Sequence, residues 1–372
     1  MHHKIYLDNN ATTAVDQETI DEIVSALQNL IGNPSSVHFY GQQAKARLQK
    51  ARDEIAKILK CLPNEIIFTS GATEALNLVL RGILNDESHV ITSDVEHSAV
   101  FETLKQIKDS SSITFLSVGA HGAVTFDAVK KAYRKDTKVI VLMAVNNETG
   151  VKTDIKSIAA FAKEKGIHFV VDGVALLGKE PFEIPEGVSA MCFSGHKFHA
   201  PKGIGFAIVR RPLKLKPYIT GGNQEFGIRG GTENLIGIIA MQSALRILNQ
   251  KLENASKEMK RLRDKLETSL QKELPNVIVN GSGPRVANTT NLCFKGVEGE
   301  LLMAHLDREG VAVSLGSACA SGAIEPSRIL LNMGLSVDDA ISSIRISLSR
   351  MTSEAEIDRA IDIIIKTVKR LL

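Results

Sequence analysis

Residues 193–205 read FSGHKFHAPKGIG, and the apolar run AMCF (190–193) leads straight into them. Ser194, His196 and Lys197 therefore stand at the end of an expected strand, with Gly203 and Gly205 close behind. A lysine at that depth is costly unless it is paired or neutralised. Conversion to a Schiff base with an aldehyde cofactor is one remedy. The alternative is an exposed loop lysine, and the neighbouring residues weigh against it.

Outward from this stretch, short apolar runs alternate with helical patterns, which predicts an α/β chain with a mostly parallel sheet. EIIFTS (65–70), HVITS (89–93), SITFLSV (112–118), KVIVLMAV (138–145), IHFVVD (167–172), AMCFSG (190–195) and GFAIVR (205–210) read as strands. The helices expected between them include 72–84, one from about Ser98, 126–133, and DIKSIAAFAKEKG, ended by Gly166. From Glu233 to Lys272 the pattern is helical without pause, so a break or a bridging role is expected. Beyond it lie VIVNG, TTNLCFKG, VAVSLG and IRISLS as strands, with helices near 298–309 and 326–334 and a final one from Ser353. A length of 372 residues exceeds what one core usually supports. The expected division is an N-terminal segment 1–14 packing with the small domain, a large domain 15–250, and a smaller α+β domain 251–372.

Ligands of open α/β sheets collect beyond the carboxyl ends of the strands, and further polar groups fall there. In TSGATEA (69–75) the N–H groups of Ala72 and Thr73 open a helix, which suits a phosphate; Thr73 as a plain helix-start residue is the other reading. Asn146 and Asn147 in VNNETG are turn residues or ligand contacts. Asp172, ending FVVD, caps the next helix or pairs with a buried cationic ligand atom. His97 in DVEHSAV is structural or faces a ligand. No metal-ligand spacing appears.

Composition narrows the classes. The net charge of +3 is spread along the chain, and charged residues make up 23%. Neither nucleic acid nor an anionic membrane is called for, and no run approaches the ~20 apolar residues of a membrane helix. The start, MHHKIYLDNNATT, carries no apolar signal. The four cysteines, Cys61, Cys192, Cys293 and Cys319, form no C-x-x-C pair, so reduced thiols and a cytoplasmic location are expected. Cys192 and Cys293 lie in apolar strands and read as buried fillers, and Cys61 as structural. Cys319 lies in GSACASG (316–322), either as a small residue in a tight turn or as a reactive thiol on a mobile loop.

YLDNNATT, GNPSSVHFYG, TSGATEALN, EHSAV, VNNETG, SGHKFHAPKGIG, GIRGGTEN and GSACASGAIEPSRIL occur in that order along nearly the whole chain. Together they resemble the NifS/IscS-type cysteine desulfurases of the class V aminotransferase family. The resemblance implies the fold type I architecture of pyridoxal-phosphate enzymes, with a seven-stranded large-domain sheet, and a homodimer. It implies that Lys197 holds pyridoxal 5'-phosphate covalently and shuttles protons. Asp172 pairs with the ring nitrogen, His97 stacks on the ring, and Asn147 bonds near the ring oxygen. Ala72, Thr73, Ser194 and His196 cradle the phosphate, with Thr232 reaching in from the other subunit. Asn33 and Arg345 hold the substrate carboxylate. Cys319 takes sulfur from L-cysteine as a persulfide, leaving L-alanine, and passes it to a scaffold or carrier protein for iron–sulfur cluster assembly or other thiolation. His97 is the candidate acceptor of the thiol proton, and Gly316–Gly322 are expected among the least ordered residues.

Two positions depart from the family pattern. Ala175 stands where relatives carry a glutamine that donates to the cofactor's phenolic oxygen, and Phe226 where they carry a basic residue. Two rivals keep the same residues: a selenocysteine lyase, and a weakened relative kept as a partner in a sulfur-transfer complex.

Overall fold

The computed structural model describes residues 4–85, 88–107, 109, 112–315 and 325–372. Among the described residues twelve strands run in chain order: β1 (Ile5–Tyr6), β2 (Ile66–Thr69), β3 (His89–Ser93), β4 (Ile113–Leu116), β5 (Thr137–Met143), β6 (His168–Asp172), β7 (Val188–Ser194), β8 (Gly205–Val209), β9 (Val277–Val279), β10 (Thr289–Phe294), β11 (Val311–Ala312) and β12 (Ser343–Ser347). Seven of them form one sheet, in the order β2-β8-β7-β6-β5-β3-β4. Only β8 runs antiparallel to its neighbours. Its central strands are apolar on both faces, as parallel strands covered by helices must be; Val139, Ile140, Val141, Phe169, Val170 and Val171 are fully buried.

Local chemistry sets the helix ends. Asp154 caps the helix Ile155–Lys165 by accepting from the N–H of Ser157 at 3.1 Å, and Gly166 ends it at φ +66°. Ser353 and Glu356 form a reciprocal capping box at the start of Glu354–Leu371. The sequence patterns predict no element before Glu65, and the structure adds two helices there, Gln17–Asn29 and Phe39–Leu59.

The helix Leu235–Glu273 is unbroken over 39 residues and bridges two cores. Its first half buries Ile238, Met241, Leu245 and Leu248 with the seven-stranded sheet. Its second half buries Met259, Leu262, Leu266 and Leu270 in a second core with the antiparallel sheet β12-β10-β9. β1 pairs in parallel with β11, and Asp8 bridges Ser347. Ile329, Leu330 and Met333, late in the chain, return to the first core.

Candidate active site

The carboxyl ends of β2, β3, β5, β6 and β7 open into one cleft of about 860 Å³. Its lining includes Ala72, Thr73, His97, Asn147, Asp172, Ser194, His196, Lys197 and Arg345. Nine of the expected site residues thus meet in one place. Asn33 and Thr232 are exposed and do not line this chain's cleft; Asn33 instead accepts from the Ser35 N–H within its own turn, at 2.9 Å. Cys319 and the glycines flanking it lie outside the described residues.

Lys197 follows β7 in a tight turn, Gly195–Lys197. Its Nζ donates to the carbonyls of Asn10 and Ala11, at 2.5 and 2.8 Å. Burial, then the charge of Arg345, lowers its pKa to about 8. The amine is therefore far closer to its neutral, nucleophilic form than an exposed lysine. Asp172 ends β6, buried, with one oxygen accepting from the Val174 N–H at 3.0 Å. Burial pushes its carboxyl above the usual range, opposed by His97, the Val174 N–H and Lys197. A buried carboxylate with no side-chain cation bonded to it among the described residues suits a cationic ring nitrogen.

The helix Ala72–Ile83 points its N-terminus into the cleft. Gly205 makes this possible, since a Cβ there would sit 2.5 Å from the Phe193 carbonyl and 2.6 Å from the Gly71 Cα. Glu74, in the first turn, would repel an anion, but Arg229 covers it at 2.8 Å. Ser194 Oγ lies 3.5 Å from the position of a Gly71 Cβ. His196 pairs with Thr12 Oγ1 at 3.2 Å, and burial, then the charges of Lys197, Lys202 and Lys179, lower its pKa to about 4. It is a neutral hydrogen-bonding group at working pH.

Arg345 comes from β12, in the second core, and is 4% exposed. It donates to Asp8 Oδ1 at 2.8 Å and to the Asn147 carbonyl at 3.1 Å. The Asp8 carboxylate shows that this guanidinium receives a carboxylate at the cleft wall. The Asn147 Oδ1 is buried in the wall with no hydrogen-bond partner among the described residues. A neutral-leaning amine, a buried carboxylate, an anion-binding helix end and an orphaned amide oxygen together fit pyridoxal phosphate.

The class-V aminotransferase family pattern matches residues 5–360. The chain belongs to that family, among its cysteine desulfurases. It is 42% identical to a cysteine desulfurase of Trichormus azollae, over 99% of this chain and 93% of the relative. The fold superposes on a NifS-like protein with a TM-score of 0.90 at 32% identity, covering 99% of this chain and 100% of that one. SspA, solved in complex with cysteine, is similar at 29% identity and a TM-score of 0.82, over 94% of this chain and 100% of that one. Enzymes of this family are pyridoxal-phosphate dependent.

Sequence patterns did not single out several cleft residues of this family member. Lys179 is 2% exposed. Glu96 is fully buried beside His97, accepts from Ser93 Oγ at 2.6 Å, and burial lifts its pKa to about 8. Glu148 accepts from Ser327 Oγ at 2.5 Å, and burial raises its pKa. Arg328 donates to the Asp94 carbonyl and, at 2.6 Å, to that of Glu96. Ser327 and Arg328 thereby tie the segment after residue 324 to the walls carrying His97 and Asn147. Position was a usable signal for Glu96 and Glu148, which follow closely on the ends of β3 and β5, but not for Arg328, which opens the helix Arg328–Asn332 away from any strand end. Cys61, Cys192 and Cys293 are free thiols, and burial raises the pKa of each. Among the described residues no helix is long and apolar enough to cross a membrane.

Proposed function

We propose that this chain binds pyridoxal phosphate in the described cleft and converts L-cysteine to L-alanine, transferring the sulfur to Cys319. The observation that carries the reading is the meeting of a depressed lysine amine, Lys197, and a buried carboxylate, Asp172, in one cleft beside a helix N-terminus. The N–H groups of Ala72 and Thr73, with Ser194 and His196, hold the phosphate. Thr232 of a second copy completes that cradle. Asp172 receives the ring N–H, and Asn147 and His97 position the ring. When bound, the cofactor supplies an electron sink that loosens bonds at the amino acid's α-carbon.

The chain's own groups do the rest. Arg345 takes the substrate carboxylate, with Asn33 contributed from outside this chain's cleft. Lys197 Nζ, with a pKa near 8, removes and returns a proton without a large mismatch at neutral pH. His97 accepts the thiol proton. The Cys319 thiolate attacks the substrate sulfur; the S–S bond forms, the C–S bond breaks, and the pair left on the β-carbon is protonated to give alanine. The persulfide then passes to a scaffold or carrier protein for iron–sulfur cluster assembly or other thiolation.

We assign the working form as a homodimer in a reducing, cytoplasmic setting. Ile20, Val24, Leu27, Ile31, Val37, Phe39 and Tyr40 support the dimer, because all seven are exposed within one stretch. We divide the chain into 15–250 and 251–372, with 1–14 joined to the latter; the two cores favour this, although Ile329, Leu330 and Met333 cross back to the first. The deciding experiment supplies pyridoxal phosphate, L-cysteine and a reductant to wild type, Lys197→Ala and Cys319→Ala. Alanine and sulfide are expected from wild type and from neither variant. A wild type that makes no alanine would sink the reading.

A further inference from the structure

Two turns carry opposite ends of the proposed cofactor site: the Lys197 turn after β7 and residues 173–179 after Asp172. The Lys197 turn is held firmly by the N-terminal segment. Thr13 N donates to the His196 carbonyl at 2.9 Å, and the His199 N–H donates to Thr13 Oγ1 at 2.7 Å. Asn10 and Ala11 receive the lysine's own Nζ. The buried His199 is kept at φ +72°, a conformation that persists only when its surroundings enforce it.

The Asp172 turn is fixed by its own hydrogen bonds and by packing on β7 and on Phe198 of the Lys197 turn. Leu176 N and Leu177 N both donate to the Gly173 carbonyl at 3.1 Å. A Cβ on Gly173 would meet the Phe193 ring at 2.5 Å, and one on Gly178, at φ +87°, would meet the Phe198 Cβ at 2.8 Å. Yet among the described residues one hydrogen bond alone joins 173–179 to 195–199. It runs from Lys179 Nζ to the Lys197 carbonyl, at 3.0 Å.

Lys179 is an expensive way to make that bond. It is 2% exposed and forms no ion pair among the described residues. Burial, then the neighbouring Lys197, lowers its pKa to about 7. A methionine of similar length would fill the volume without desolvating an amine. Packing alone therefore does not account for a lysine here, and the hydrogen bond does.

We propose that Lys179 is a positioning residue, a brace that fixes the Lys197 turn relative to the Asp172 turn so that both ends of the cofactor are met at once. The inference rests on the cofactor site proposed above. It predicts that the brace is felt in how the cofactor is held more than in how the chain folds.

The test uses the full-length holoenzyme as wild type, Lys179→Met and Lys179→Arg. Three quantities are read: loss of bound pyridoxal phosphate to a scavenger, circular dichroism of its visible band, and thermal midpoint of the cofactor-free protein. Lys179→Met is expected to lose cofactor about tenfold faster, the effect of one lost charge-assisted hydrogen bond. Its visible dichroism changes, while its cofactor-free midpoint is unchanged or higher. Lys179→Arg, which keeps a donor, restores cofactor retention at least in part. Wild-type retention and dichroism in Lys179→Met would overturn the brace. So would a fall in the cofactor-free midpoint that accounts for the whole loss, since that is ordinary packing. A wild type that takes up no cofactor overturns the proposed function itself, a result distinct from two proteins that take it up equally.

Discussion

Ala175 lines the cleft two residues beyond the Gly173 turn, and its methyl group donates nothing. A phenolate lacking that donor is a stronger base toward the neighbouring imine proton, so the visible absorbance of the holoenzyme should titrate at higher pH than that of Ala175→Gln. Equal midpoints would show that another group supplies the bond. Glu96 supports a second prediction. Its folded pKa is lifted from 4.5 to about 8 by burial and, more weakly, by Asp172, against Ser93 and Arg328. The folded state thus keeps a proton that the unfolded chain releases, so this residue's contribution to stability falls as pH rises from about 4.5 to 8. Glu96→Gln removes that slope. Its thermal midpoint should gain on wild type steadily between pH 5 and pH 8, by an amount equivalent to a few kcal/mol at most. A constant difference across that range would mean Glu96 is ionised when folded.

At the scale of elements, the strand ends were readable because strands and turns are set by local pattern. The helix Ile155–Lys165 stops at Gly166 as its sequence predicts. Gln17–Asn29 and Phe39–Leu59 lie before the first expected element. The first carries Ile20, Ile23, Val24 and Leu27 at helical spacing, a legible pattern, and turns Ile20, Val24 and Leu27 outward while Ala26 enters the first core. The second buries mainly small residues, Gly41, Ala44, Ala51 and Ala56, which give a weak apolar signal. Of the break or bridging role expected for the long helix, the bridge is what forms, because each half finds its own core. Gly205 shows how strictly elements meet. It pairs with both Ser194 and Thr69, and an added Cβ would meet main-chain atoms that cannot move alone. Gly205→Ala should cost about 1–3 kcal/mol in denaturant unfolding and weaken cofactor binding by pushing the Gly71 turn away. Unchanged stability would mean that β2 and β8 separate freely.

For the whole molecule, the exposed apolar stretch 20–40 makes the dimer testable. Leu27 and Phe39 are 62% and 66% exposed. Leu27→Glu with Phe39→Glu should shift the sedimenting species from dimer to monomer; an unchanged dimer would place the interface elsewhere. The sequence by itself determined where chemistry-bearing residues fall, because the polar group ending an apolar run and the turn after it follow from backbone periodicity and turn chemistry. That was enough for Lys197, Asp172, His97, Asn147 and the Ala72–Thr73 helix start. Only the tertiary structure decided what those groups feel. Arg345 meets Asp8 across 337 positions and Asn147 across 198, and Lys179 reaches the Lys197 carbonyl from a neighbouring turn. Desolvation, which drives Lys197, Lys179 and Glu96 away from their ordinary pKa values, exists only once the two cores have closed around the cleft, because it depends on what packs against a group and not on the residues beside it in the chain.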